Sequence, residues 1–307
     1  MAKFFKKWFQ IFRKSGIKFF EENPFKHSAS TAYFTIFSLP AIGLVAITLA
    51  GYFYEDEIVR TQFLDQINQL MGESSSEQID SLLSSATVQT DRVLFQIIGI
   101  GTLLFSATTV FISLQDSLNT IWSIKAKPKK GIIKFIINRL LSLAMIAALG
   151  FLLLVSLLAD TVITFIQTHI KEILEGATIY IIQVMNIVIS LGFITLVFAI
   201  IFKVLPDARL KWRDVWVGAF VTTVLFVAGK FALGFYLGTA NLTDSYGAAG
   251  SFVAILVWVY YSVLILLFGA QVTFIYSKEM GRIILPTDEA VAVTTTEVER
   301  QRGTKVN

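Results

Sequence analysis

VWVGAFVTTVLFVAGKFALGFYL (215–237), GTANLTDSYGAAGS (238–251) and FVAILVWVYYSVLILLFGAQVTFIY (252–276) follow one another without a break. Each apolar run is long enough to cross a hydrocarbon core, which takes about 20 residues. The stretch between them is small, polar and almost free of charge. Gly247 and Gly250 free the backbone for a tight re-entry, and Ala248 and Ala249 let it approach its neighbours closely. Asn241, Thr243, Asp244 and Ser245 can satisfy the orphan backbone groups of the two helix ends. Irregular backbone at membrane depth is tolerated where it is buried in protein or lines a wet cavity. The turn is therefore expected to dip inward and to floor part of an outward-facing pocket. A membrane-embedded helical hairpin of this kind decides the fold class: an all-α polytopic membrane protein.

The rest of the chain repeats the pattern. Of its 307 residues 55% are hydrophobic and 16% charged, with a mean hydropathy of +0.68; soluble domains carry about 25% charged residues. Six segments are long enough to span, at 29–53, 93–115, 132–159, 177–202, 214–237 and 250–277. All of the 26 Lys and Arg residues except Arg60, Arg92, Lys171 and Lys230 fall before the first segment, around the second-to-third and fourth-to-fifth connections, or in the tail. Lys and Arg mark the cytoplasmic side, so both termini are expected there, in a bacterial inner (plasma) membrane. The net charge of +4 then reflects topology, and no nucleic-acid partner is expected. The basic N-terminus lacks the continuous apolar core of a signal peptide and is expected to be retained.

Three further pieces complete the domain plan. Residues 1–27 read as an amphipathic cytoplasmic helix lying in the membrane interface, with Phe5, Trp8, Phe9, Phe12, Phe19 and Phe20 at helical spacing and the lysines mostly elsewhere. Residues 55–92 are acidic. They predict a small external cap of two helices, the second entered by a capping box at Ser75 and Gln78. The six-helix domain fills 28–280. The tail, 281–307, has no helical period and is expected to be disordered.

Ionisable groups within spans usually face the bundle interior and mark function. Lys230 stands about 24 Å from the cytoplasmic edge at about 1.5 Å per residue. That outer layer also holds Gln183, Asn186, Asp160, Asp244 and Tyr246. They form either a structural ion-pair cluster or a pocket for an anionic head group. A second layer lies near the cytoplasm, where an Asp116–Arg139 pair with Asn119, joined by Gln271, reads as a structural clasp or an inner gate. Pro40 removes a backbone bond in mid-span and should kink the first helix. Small residues at Ser28–Ala32 and glycines at 218, 229, 234 and 238, with Gly234–Gly238 as a GxxxG pair, suit close helix packing.

Several chemistries are excluded. The chain has no cysteine, which removes disulfides, thiolate metal sites and a Cys nucleophile. His27 and His169 fall on opposite sides of the membrane, and no HExxH or HxHxDH pattern occurs. Neither a metal, a cofactor nor an enzymatic activity is expected. YGAAGSFVAILVWVYYSVLILLFGAQVT (246–273), SLQDSLNTIWSIK (113–125), LPDARLKWRDVWVGA (205–219) and ASTAYFTIFSLPAIG (29–43) resemble the YihY / virulence factor BrkB family over about residues 15–280. That resemblance implies a six-span bacterial inner-membrane protein of the kind described as transporters. It also places Gln271 where many relatives carry Glu. The family has been labelled ribonuclease BN as well, which the two separated histidines argue against.

Two functions follow. One is a transporter or flippase-like protein for an anionic or amphiphilic substrate, with membrane lipids as partners and self-association open. The other is a non-transporting envelope scaffold, in which the interfacial helix, the cap and the tail are docking surfaces.

Overall fold

The computed structural model describes residues 2–51, 56–86, 93–127, 136–137, 139–146, 177–239 and 249–294. Long helices dominate: α1 (Ala2–Glu21), α2 (Pro24–Gly51), α3 (Asp56–Met71), α4 (Glu73–Ala86), α5 (Val93–Ile121), α6 (Ala177–Val204), α7 (Trp212–Thr239) and α8 (Ala249–Glu279). Among the described residues four helices are long and apolar enough to cross a membrane: Pro24–Ile47, Ile187–Val204, Trp212–Tyr236 and Gly250–Glu279. Residues 139–146 are also helical; the rest of the expected third span lies largely outside the described residues.

The long helices pack as neighbours in the order α5, α2, α8, α7, α6. Side-chain chemistry fixes three of these contacts. Between α2 and α5, Thr31 Oγ1 lies 2.9 Å from Ser113 Oγ, and Ser38 donates to the Ser106 carbonyl at 2.7 Å, which makes the pair antiparallel. Between α6 and α7, Thr195 and Thr223 share a hydroxyl contact of 3.0 Å. Glycine sets the α7–α8 contact, because a Cβ on Gly218 would sit 1.8 Å from Thr273 Oγ1 and one on Gly269 would sit 1.8 Å from Thr222 Oγ1. Gly229 likewise leaves room for the Tyr261 ring, whose hydroxyl donates to the Leu225 carbonyl at 2.9 Å. Among the described residues nothing stands near Gly234, and the close contacts of α7 lie at Gly218 and Gly229. Of the small-residue face, Ser28, Thr31 and Ala32 are buried and Ala29 and Ser30 exposed.

Helix α1 covers the last turns of α8. Trp8, Ile11, Ser15 and Phe19 form one stripe at helical spacing. Trp8 stacks on Tyr276 at 5.8 Å, Phe19 meets Phe268 edge-on at 5.3 Å, and Ile11 is buried among Val272, Ile275 and Tyr276. The adjoining stripe of Phe5, Phe9, Phe12 and Phe20 is exposed. Half of the helix's apolar arc thus belongs to the bundle, where the sequence alone suggested a surface helix.

Helices α3 and α4 pack on α2, with Val59, Ile67, Ile79 and Leu83 joining Ile36, Ile47 and Ile255 in one cluster. Arg60 ties them through Asp80 at 2.5 Å and Ser84 at 2.7 Å. The expected capping box is corrected. Gly72, at φ +88, ends α3, α4 begins at Glu73, and the Ser75 hydroxyl donates back to the Met71 carbonyl at 3.1 Å from inside the helix.

At the opposite, basic end, part of the tail is ordered. Strand β1 (Ile124–Ala126) pairs antiparallel with β4 (Ala290–Ala292), and β2 (Ala208–Arg209) with β3 (Leu285–Pro286). Gly281, at φ +68, stops α8, and the Arg282 amide donates to the Ser277 carbonyl at 3.0 Å, a glycine-terminated helix end. The tail then returns across both basic connections. Disorder expected from Gly281 onward is corrected over these paired residues.

Candidate functional site

A polar layer crosses the basic end of the bundle. It starts where α5 ends. Asn119 is buried and pairs twice with the buried Asp207: its Nδ2 donates to Oδ2 at 3.1 Å, and its Oδ1 accepts the Asp207 amide at 2.9 Å. The Asp207 carbonyl accepts the Thr287 amide at 2.9 Å, which brings the tail into the same knot. Next to it the Trp122 indole donates to the Ala270 carbonyl at 2.9 Å. Two turns further along α8, Ser277 donates to Asp214 at 3.2 Å, and Arg282 closes an ion pair with the same carboxylate, whose side chain is 2% exposed. Lone charges are too costly to bury, so each of these is met by a partner.

Three buried side chains on α1, α2 and α8 are not met. Gln271 is 0% exposed, and neither its Oε1 nor its Nε2 has a hydrogen-bond partner among the described residues. The hydroxyls of Ser15 on α1 and Ser28 on α2, also fully buried, are in the same state. A buried polar group without a partner costs about 1–3 kcal/mol. Native proteins carry few of them, and each asks for an explanation. Lys18 lies 4.6 Å over the Phe274 ring and 3.9 Å from Glu22, and Lys14 lies 2.5 Å from Glu279. Burial in the corner between α1 and α2 pushes the Glu22 carboxyl above its ordinary range, with the Lys18 charge pulling the other way.

The expected Asp116–Arg139 pair is corrected. Arg139 donates to the Phe105 carbonyl at 2.8 Å and to the Thr108 hydroxyl, and its guanidinium lies 4.0 Å over the Phe105 ring. Those partners are two to three turns of α5 away from Asp116. Equal distance from one loop in sequence does not give equal depth, and Arg139 is satisfied at the level of Phe105 instead. Asp116 itself is exposed. Pro40 lies inside a helix that runs on to Gly51. Beside it Ser38 and Ser106 exchange hydrogen bonds with the partner helix's backbone, Ser106 reaching the Phe37 carbonyl at 3.3 Å. The carbonyl that Pro40 deprives of its helical donor is that of Ile36, and these bonds serve the Ser106 and Phe37 carbonyls instead.

Lys230 is half-buried on α7 and makes no hydrogen bond or ion pair with any described residue. Gln183 and Asn186 lie on α6, without described side chains, and Asp160, Asp244 and Tyr246 lie outside the described residues. Among the described residues no group of three His, Asp or Glu side chains is placed to hold a metal ion. The sequence reading missed Ser15 and Asp207, and gave Ser28 and Thr31 a packing role alone. A serine in the middle of the apolar stripe of α1 was the one signal that could have found the first.

Comparison with known proteins fits this architecture. The family model for virulence factor BrkB matches residues 18–290. A UPF0761 membrane protein of Pseudomonas paraeruginosa is 28% identical over 64% of this chain and 46% of its own length. Another, of Bordetella petrii, is 25% identical over 86% of this chain and 56% of its own. A ribonuclease-like protein of Bacillus subtilis, YfkH, is 25% identical over 82% of this chain and 89% of its own. The chain spans about half the length of the first two relatives. No solved structure matches it. With its apolar helices and a family match that covers most of its length, the chain is a membrane protein and belongs to the virulence factor BrkB family.

Proposed function

We propose that the protein is a transporter or flippase-like carrier for an anionic or amphiphilic substrate, and not an enzyme. In this reading it has six spans, formed by α2, α5, the 132–159 segment, α6, α7 and α8. It sits in a bacterial inner membrane with both termini in the cytoplasm, α1 in the cytoplasmic interface and the α3–α4 pair as an external cap. The observation that carries the reading is Lys230. It is a lysine well inside a 28-residue apolar helix, half-buried and without a counter-charge among the described residues. A cation at membrane depth needs a counter-charge or a wet cavity, and an anionic substrate supplies the first.

Mass spectrometry of the gently solubilised protein, beside Lys230→Ala, tests it. The expected result is a specific anionic amphiphile retained by the parent and lost from the variant. Only bulk lipid, equal in both, would remove the support of Lys230. A second reading, a non-transporting envelope scaffold, is favoured by the Asn119–Asp207 knot and the paired tail strands, which tie the basic end together in the manner of a fixed platform.

A further inference from the structure

Gln271, Ser15 and Ser28 come from three different helices, yet the packing brings them to one depth. Trp8 against Tyr276 and Phe19 against Phe268 set the register of α1 on α8. Ser15 lies on the same stripe between them, which places it opposite the 271–272 turn. Thr31 fixes α2 against Ser113 and Ser117 of α5, and just past the end of α5 the Trp122 indole reaches the Ala270 carbonyl. Ser28, one turn from Thr31 toward the basic end, therefore falls at the level of Gln271. The layer thus holds two hydroxyls and one carboxamide, all fully buried and all without partners.

The inventory of these groups describes their missing partner. Two hydroxyls and the Gln271 Nε2 offer hydrogens, which calls for acceptor oxygens. The Gln271 Oε1 needs a donor. Sign of charge is set by the surroundings. Ser28 lies just past the first turn of α2, where the helix dipole favours an anion. Lys18 and Lys14 are on the same helix as Ser15, although each is matched to a carboxylate, Glu22 and Glu279. A bare cation fits neither the Nε2 hydrogens nor this field.

We propose that Ser15, Ser28 and Gln271 form a binding subsite for a phosphate ester that also carries a free hydroxyl, sealed by α1 in the arrangement described. The phosphate oxygens accept from Ser15, Ser28 and Nε2, and the hydroxyl donates to Oε1. Helix α1 is the cover. It is held to α8 by one stripe and by the exposed Lys14–Glu279 pair, and its outward row of Phe5, Phe9, Phe12 and Phe20 offers it an apolar bilayer surface when it lifts. The proposal deepens the transport reading by naming a head-group chemistry and an inner site distinct from Lys230.

The test is thermal unfolding of the purified full chain in neutral detergent. The added probes are short-chain phosphatidylglycerol, glycerol phosphate, or short-chain phosphatidylcholine, whose phosphate ester carries no donor hydroxyl. Saturating phosphatidylglycerol is expected to raise Tm by about 3 °C or more, and phosphatidylcholine is expected not to. The rise should vanish in Gln271→Leu and in Ser28→Ala and persist in Glu77→Gln, on the exposed face of α4. An equal response to glycerol phosphate assigns the site to the free head group, and a response to the lipid alone assigns it to the lipid; both support the subsite. No response, an equal response to phosphatidylcholine, or a response that survives both variants overturns it. So does a Gln271→Leu chain that melts higher than the parent while the parent ignores every probe, since the amide is then only an unmet buried group. Loss of the Lys230-dependent ligand with this response intact would remove the Lys230 reading alone.

Discussion

An alanine Cβ at Gly269 would meet Thr222 Oγ1 at 1.8 Å and the Gly218 carbonyl oxygen at 3.0 Å, whereas one at Gly218 would meet Thr273 Oγ1 at 1.8 Å and the Gly269 carbonyl oxygen at 2.5 Å. The two substitutions look alike and should not behave alike. Overpacking of this kind costs about 1–3 kcal/mol. In Gly269→Ala the hard contact is a side chain, so adding Thr222→Ala should restore most of the loss. In Gly218→Ala a backbone oxygen remains in the way, so adding Thr273→Ala should restore little. Unfolding midpoints of the four variants in detergent check this, and equal rescue in both pairs would contradict the packing. The sequence showed glycines on α7 but not which of them meet α8. That depends on where Thr222 and Thr273 stand across the interface, and one helix's spacing carries no record of its partner. Gly234 belongs to the better motif, whereas Gly218 makes the contact with α8.

At the scale of elements, the tail is where reading and structure part. Strands of two or three residues have no period to detect, and a Thr- and Val-rich stretch beyond a helix resembles any unstructured end. What orders it is long-range: Arg282 on Asp214, Thr287 on Asp207, and β3 and β4 on the two basic connections. Helix bounds, by contrast, were legible to within a few residues for α2, α6, α7 and α8, because apolar length is a local property. Arg282→Ala tests the tail's role. It leaves the Asp214 carboxylate buried with only the Ser277 hydroxyl, a change worth about 3 kcal/mol when a buried pair is broken. Limited proteolysis should then cut the tail between Gly281 and Ala290 faster than in the parent. Asp214→Asn with Arg282→Ala together should recover part of the loss, since the orphaned charge is gone. If Arg282→Ala leaves both protection and midpoint unchanged, the tail is held by its strands alone.

For the whole molecule, the membrane character was plain from hydropathy, and the candidate site was only half legible. Lysine in a span announces itself in a sequence. An unmet glutamine, or a serine buried under an amphipathic helix, becomes informative only when the neighbours that fail to bond it are known. Orientation is the property on which the functional readings depend, because an anion meeting Lys230 and a phosphate ester meeting Gln271 would approach from opposite sides. A chain without cysteine allows a clean measurement. Glu77→Cys on the exposed face of α4 and Asp288→Cys in the tail, where the side chain is 90% exposed, report the two ends of the bundle. With the proposed orientation, a membrane-impermeant maleimide should label the first in cells whose outer barrier is opened, and the second only after lysis. Labelling of both before lysis would mean an even topology has been miscounted, with α5 or the 132–159 segment failing to cross. Labelling of Asp288→Cys alone would invert the molecule. The Phe-rich row of α1 would then face the outer leaflet, and the subsite under it would receive its phosphate ester from outside the cell.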